Sequence, residues 1–240
     1  MATLWGISTG PGDPEWLTLK AHRVLQQVPI IACPQNRQGQ AGMAFAIASQ
    51  YLRPTATLVP LYLPFTQDAA VLQTAWDNAG QQLMPYLAQG QDVAFIAEGD
   101  VSLYSTFTYI ALSVRALFPD ITITPIPGVC SPLAAAALAA QPLSLGSEKI
   151  TILPALYHVS ELEQALAWAE VVVLMKVGSV FNRVWPLLAA QGLLQQSSLV
   201  EWIGWPQQQV YTNLSDLSGY HPPYFSVLII RQTASTYQAV

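Results

Sequence analysis

The chain has 240 residues, 52% of them hydrophobic and 10% charged, and 14 acids against nine bases leave a formal charge of −5. That length holds one large domain or two of about 100–150 residues, and so apolar a composition implies extensive buried surface, a subunit interface included. The acidic balance argues against a nucleic-acid partner, and no apolar run approaches the roughly 20 residues of a membrane helix.

Taken in order, β-rich runs occur at residues 4–8, 29–33, 57–61, 92–97 and 121–125, with helical patterns between them. Leu17, Ala21, Val24 and Val28 keep a spacing of three or four and make one apolar helix face. Residues 69–88 read as a long helix that Pro85 is expected to kink or end early. Alternation of this kind predicts a largely parallel sheet covered by helices. A Pro/Gly-rich stretch, 119–132, then breaks the rhythm. Beyond it the pattern predicts a helix at 133–140, a strand at 149–153, a helix at 162–168 and a strand at 171–175. The runs at 198–203, 209–214 and 224–231 have little helix between them, so antiparallel pairing is expected there. The fold expected is α/β in two domains, 1–120 and 121–240, the first sheet mainly parallel, the second mixed, with a cleft between.

The two cysteines, Cys33 and Cys130, lie far apart and lack C-x-x-C spacing, so reduced thiols are expected and a metal site is not. No basic segment followed by an apolar one opens the chain, so a cytoplasmic protein is expected.

Four turns rich in small residues follow strand patterns. The first is GISTGPGDP, 6–14, in which Asp13 and Pro14 make a helix start. Its glycines at 6, 10 and 12 match neither G-x-G-x-x-G nor a P-loop, so the turn is no obvious phosphate cradle. Glycine does let bare backbone approach a ligand. The others are AEGDVSLYST at 97–106, PIPGVCSP at 125–132 and VVVLMKVGS at 171–179. Ligands of open α/β sheets bind beyond the carboxyl ends of strands, so one shared site is plausible on pattern alone.

These motifs resemble the tetrapyrrole methylases of cobalamin and sirohaem synthesis. Residues 10–21 are similar to G-P-G-D-P-x-x-L-T-L-K-A, and 99–106 to G-D-x-x-x-Y-x-T; Pro127-Gly128-Val129 and the Met-bearing strand end at 174–178 follow in family order. The stretches EGDVSLYSTF, LPA and LMKVG look most like the branch that methylates C20 of precorrin-2 or its cobalt form. Two features depart from the family pattern: Ser8-Thr9, where many relatives have small residues or Gly, and the bulky EWIGWP at 201–206.

The resemblance implies S-adenosylmethionine as cofactor, S-adenosylhomocysteine as product and a tetrapyrrole partner, while the apolar excess and low charge point to a homodimer. It implies cofactor contacts from Pro11, Gly99, Asp100, Leu103, Ser105, Thr106, Cys130, Ser131 and Met175, with Ile203 and Gly204 in a loop over one end. Methyl transfer from a sulfonium needs alignment at about 3–3.5 Å and a dry site more than titratable groups. The methylated carbon must afterwards lose a proton. Asp100, Glu98, Asp13 and His22 are candidate bases, Asp100 foremost. For the many carboxylates of the substrate, Arg37, Lys176 and Arg183 are candidate partners, the arginines favoured by their bidentate fork. The alternatives are methylation at another ring position and a non-catalytic cofactor- or tetrapyrrole-binding module.

Overall fold

The computed structural model describes residues 2–156 and 158–232. They form two compact units, one ending at Cys130 and the other beginning at Ser131.

The first unit contains β1 (Thr3–Ser8), α1 (Leu19–Gln27), β2 (Ile30–Gln35), α2 (Met43–Ala48), β3 (Thr57–Tyr62), α3 (Ala69–Ala88), β4 (Val93–Ala97), α4 (Phe107–Leu117) and β5 (Thr122–Ile126). The strands pair in the order β3-β2-β4-β1-β5, every pair parallel. Side chains alternate across the sheet, so its apolar strands feed two cores. Leu4, Val93 and Phe95 pack with Leu83, Leu87, Phe107 and Ile110 under α3 and α4. Ile7, Ala94 and Ile96 pack with Ala21, Val24, Leu25 and Ala48 under α1 and α2.

Three local expectations change. Asp13 and Pro14 open only a short 3-10 turn, Pro14–Trp16; α1 itself starts after Thr18, whose hydroxyl accepts from the Ala21 N–H at 3.2 Å. Pro85 lies inside α3 and does not end it. The buried Ala79, Leu83 and Leu87 hold that face of α3 to the core on either side of the proline. Finally β5, expected to open the second domain, pairs with β1 (Leu4 opposite Ile123, Ile7 opposite Ile126). The first unit therefore runs past residue 120 to Cys130.

The second unit contains α5 (Ser131–Leu138), β6 (Ile150–Leu153), α6 (Val159–Leu166), β7 (Val171–Met175), α7 (Phe181–Ala190), β8 (Ser197–Glu201), β9 (Gln209–Tyr211) and β10 (Ser226–Arg231). Its sheet runs β6-β7-β10-β8-β9. β6 and β7 are parallel; β10 is antiparallel to β7 and β8, and β9 to β8. The mixed sheet and its late antiparallel pairs match the sequence pattern. The run 198–203 stops as a strand at Glu201, because Trp202 turns left-handed with φ 48°. Arg231, 2% exposed, ends β10 with its guanidinium on Glu148 at 2.9 Å and on the Pro142 carbonyl at 2.7 Å. Removing either partner would strand a charge in the buried site.

Candidate functional site

In the first unit the carboxyl ends of β1, β4 and β5 are tied together by turn backbone. Gly10 and Gly99 form an antiparallel bridge, each N–H donating to the other's carbonyl at 3.2 and 2.8 Å. Both have positive φ, 76° and 71°, a conformation in which an L side chain is strained. The opening turn is thus half of a pair, and its partner is the turn after β4. Pro11 is buried beside the bridge.

Ser8 joins the third strand. Its hydroxyl donates to the Ile126 carbonyl at 2.7 Å and accepts from the Val101 N–H at 2.9 Å. Gly128 packs on it so closely that a Cβ there would lie 2.4 Å from the Ser8 Cβ. Asp100 completes the frame: one carboxylate oxygen accepts from the Gly128 N–H at 2.7 Å, the other from the Ser102 N–H at 2.7 Å and the Ser102 hydroxyl. Burial raises the pKa of Asp100, but the bonds from Ser102 and Gly128 outweigh it and hold the carboxyl below its ordinary value. A carboxylate so satisfied is a weak base at neutral pH, and proton removal by it would require breaking those bonds. Leu103 follows half-buried, and Ser105 and Thr106 open α4, the Ser105 hydroxyl accepting from the Phe107 N–H at 3.2 Å.

The glycines here serve different ends. Around Gly128 there is no room for a Cβ, whereas a Cβ on Gly99 would meet nothing within 4 Å. An open, left-handed glycine whose neighbours are fixed by hydrogen bonds offers bare backbone to a ligand. Cys130 is half-buried, while burial pushes the Cys33 thiol up to about 12, an inert core cysteine.

In the second unit β6, β7 and β8 run in the same direction, so Leu153, Met175 and Glu201 end on one edge of the sheet. Met175 is half-buried and is followed by Lys176 at φ 56°. Ile203 is buried, and Gly204 has φ 78° with its N–H on the Gln208 side chain at 2.8 Å. Of the four non-glycine residues with positive φ among the described residues, Tyr104, Lys176 and Trp202 follow strands whose ends carry site candidates. Ser131 is the first residue of α5, and Arg183 is exposed on α7.

Arg37 is exposed in the loop after β2, on the same sheet edge as Gly99. Asn36 shapes that loop, its side-chain oxygen accepting from the N–H groups of Gln38 and Gln40 at 3.0 Å. Of the other candidate bases, Glu98 is exposed beside Gly99 just after β4, Asp13 at the end of the opening turn accepts from the Glu15 N–H at 2.8 Å, and the exposed His22 on α1 stacks edge-on with Tyr51 at 5.3 Å. A groove of about 540 Å³ beside Trp5, Lys20, Arg23 and Asp92 opens near the amino ends of the strands, away from these turns. Among the described residues there is no group of His, Cys, Asp or Glu that could hold a metal, and no helix long and apolar enough to cross a membrane.

Residues 3–218 match the family model of the tetrapyrrole (corrin/porphyrin) methylases. The chain belongs to that family. A relative from Mycobacterium tuberculosis, the cobalamin biosynthesis protein CobIJ, is 33% identical over 95% of this chain, which spans about half, 46%, of that relative's length. The cobalt-precorrin-2 C(20)-methyltransferase of Salmonella typhimurium is 30% identical over 95% of this chain and 96% of its own. Among solved tetrapyrrole methylase structures, a uroporphyrin-III C-methyltransferase from Thermus thermophilus, complexed with S-adenosylhomocysteine, has the same fold with TM-score 0.65 at 18% identity, covering 96% of this chain and 98% of its own.

Sequence reasoning named Ser8 and Gly10 only as parts of the opening turn and Glu201 only as part of the bulky 201–206 stretch, and missed the partners that each one holds. Glu201 is 3% exposed, one oxygen taking the Tyr220 hydroxyl at 3.1 Å and the other without a partner. The available signal was an acid inside an otherwise apolar β-run. For Ser8 no local pattern showed its partners, which come from the turn after β4 and from β5.

Proposed function

We propose that this protein transfers a methyl group from S-adenosylmethionine to C20 of precorrin-2 or cobalt-precorrin-2 in corrin synthesis. The observation that carries the reading is the end-to-end match to the Salmonella relative of that name. The paired glycine turns support it, because the bridge to Gly10 fixes Gly99 with nothing within 4 Å of a Cβ position, which leaves room for the cofactor to approach closely.

S-adenosylmethionine, when bound, supplies an electrophilic methyl group. The chain's part is alignment and exclusion of water, which together are worth about 7–11 kcal/mol of a barrier. Pro11, Gly99, Leu103, Cys130, Ser131, Met175, Ile203 and Gly204 hold the cofactor chiefly through backbone and apolar contact. Asp100 acts by fixing Gly128 against the turn after β4. It stabilises no sulfonium directly, since a carboxylate there would favour the ground state and slow transfer. Arg37, Lys176 and Arg183 take substrate carboxylates. The proton lost from C20 goes to water or to a substrate carboxylate, since Asp100 is engaged.

The protein works as a cytoplasmic homodimer without a resident metal; sedimentation near twice 26.1 kDa tests the dimer. The deciding experiment incubates the protein with methyl-labelled S-adenosylmethionine and precorrin-2, with and without cobalt. Label at C20 by carbon NMR, with S-adenosylhomocysteine formed in equal amount, is expected. Label at another ring carbon, or cofactor binding without turnover, overturns it.

A further inference from the structure

Resting on that reading, one feature of the second unit goes beyond it. Lys176 and Trp202 both stand in the left-handed region, φ 56° and 48°, immediately after β7 and β8. Lysine and tryptophan resist this conformation, so each is held there by its surroundings. β10 lies between the two strands, and its entry segment supplies the hold. The Lys176 N–H donates to the Ser226 carbonyl and the Trp202 N–H to the Phe225 carbonyl, each at 2.9 Å. That segment is itself clamped. The Ser226 hydroxyl donates to the Pro223 carbonyl at 2.8 Å, and Gly178 packs so tightly on the carbonyls of Pro222 and Pro223 that a Cβ would lie 2.5 and 2.6 Å from them.

The result is a row of rings on a rigid edge. Trp202 and Phe225 have centroids 4.9 Å apart, Phe225 and Tyr224 5.2 Å apart, and the Lys176 ammonium lies 5.6 Å over the Tyr224 ring. Tyr224 is 39% exposed and Lys176 is exposed. The rings are tilted or edge-on to one another, 43° for Trp202 and Phe225 and 88° for Phe225 and Tyr224, so the exposed Tyr224 ring beside a cation is the part that fits a conjugated ring carrying carboxylates. It fits a sulfonium cofactor poorly, because the ammonium repels a second positive charge.

We infer that Tyr224, Phe225, Trp202 and Lys176 form a subsite for the tetrapyrrole: a pyrrole ring lies against Tyr224, and one of its side-chain carboxylates pairs with Lys176. Because the strap is held before the ligand arrives, little ordering is needed on binding.

The test measures uroporphyrin III binding by fluorescence quenching, KM and kcat for precorrin-2, and S-adenosylhomocysteine binding by calorimetry. Tyr224→Leu should weaken porphyrin binding and raise the precorrin-2 KM about tenfold, whereas Tyr224→Phe, which keeps the ring, should stay near wild type. Lys176→Met should weaken porphyrin binding by about five- to tenfold and flatten its salt dependence. S-adenosylhomocysteine affinity should hold in all three, which also shows that they fold. Unchanged porphyrin binding in Tyr224→Leu and Lys176→Met overturns the subsite. So does a loss confined to S-adenosylhomocysteine, which would give the rings to the cofactor. If wild type binds the porphyrin, the variants weaken it as stated and precorrin-2 is not methylated, the reaction assigned above fails and the subsite stands. If wild type methylates precorrin-2 and the variants match it, the subsite alone fails. A wild-type protein that neither binds nor methylates overturns both.

Discussion

Replacing Asp100 by Asn keeps the side-chain shape and removes one acceptor. The carboxylate serves the Gly128 N–H through one oxygen and both Ser102 donors through the other. An amide has a single oxygen, so whichever way it turns, its NH2 faces a donor. With the oxygen kept on Ser102, the Gly128 N–H is left unsatisfied, which costs about 1–3 kcal/mol, and the remaining bonds lose their charge assistance. A total of about 2–4 kcal/mol follows at neutral pH. The sign with pH is fixed by the lowered pKa of Asp100. A depressed folded-state pKa contributes stability that is complete above the unfolded value, about 3.9, and is lost as pH falls through the folded one. Urea denaturation of both proteins at pH 7 and in acid should therefore show a gap that narrows on acidification. S-adenosylhomocysteine affinity at pH 7 should fall by about tenfold, because the turn at Gly128 is no longer held. Equal stability at pH 7, or a gap that persists unchanged in acid, would refute the account of Asp100 as a holding group.

The glycines separate packing from ligand approach. Gly128→Ala forces a Cβ to 2.4 Å from Ser8 and should lower denaturation stability by about 1–3 kcal/mol. Gly99→Ala meets no neighbour and should cost only about 1–2 kcal/mol of backbone strain, yet lose most S-adenosylhomocysteine binding by calorimetry; full binding would remove Gly99 from the site. Arg37→Ala should weaken substrate binding by roughly 10- to 150-fold with cofactor affinity unmoved, and Arg37→Lys should restore only part; a wild-type titration would shift the substrate mouth to other cations. Glu201 has its pKa raised by burial, partly offset by the Tyr220 hydroxyl. Its carboxyl therefore stabilises fully below the unfolded value, about 4.3, and that contribution is lost as pH rises through the folded one. Glu201→Gln cannot ionise and keeps an acceptor for Tyr220, so its stability relative to wild type should grow from pH 4 to pH 7; a constant difference would contradict this.

Local pattern carried much of this protein. Strand and helix alternation, the mixed character of the second sheet and the four small-residue turns were legible because hydrophobic period and turn chemistry involve neighbours in sequence. Tertiary structure decided who meets whom. Gly10 bridges Gly99, Ser8 links Val101 to Ile126, and Asp100 reaches Gly128, because the parallel order β4-β1-β5 brings those strand ends side by side. The same pairing assigned β5 to the first unit, which the Pro/Gly-rich stretch had suggested it opened the second. Pro85 shows the converse: a strong local rule for breaking a helix gave way to the packing of Leu83 and Leu87 on the sheet. Trp202 and Lys176 adopt a backbone conformation their side chains disfavour because the entry to β10 holds their N–H groups. Such partners are chosen by sheet topology, and sheet topology is settled by burial over the whole unit rather than by any window of residues.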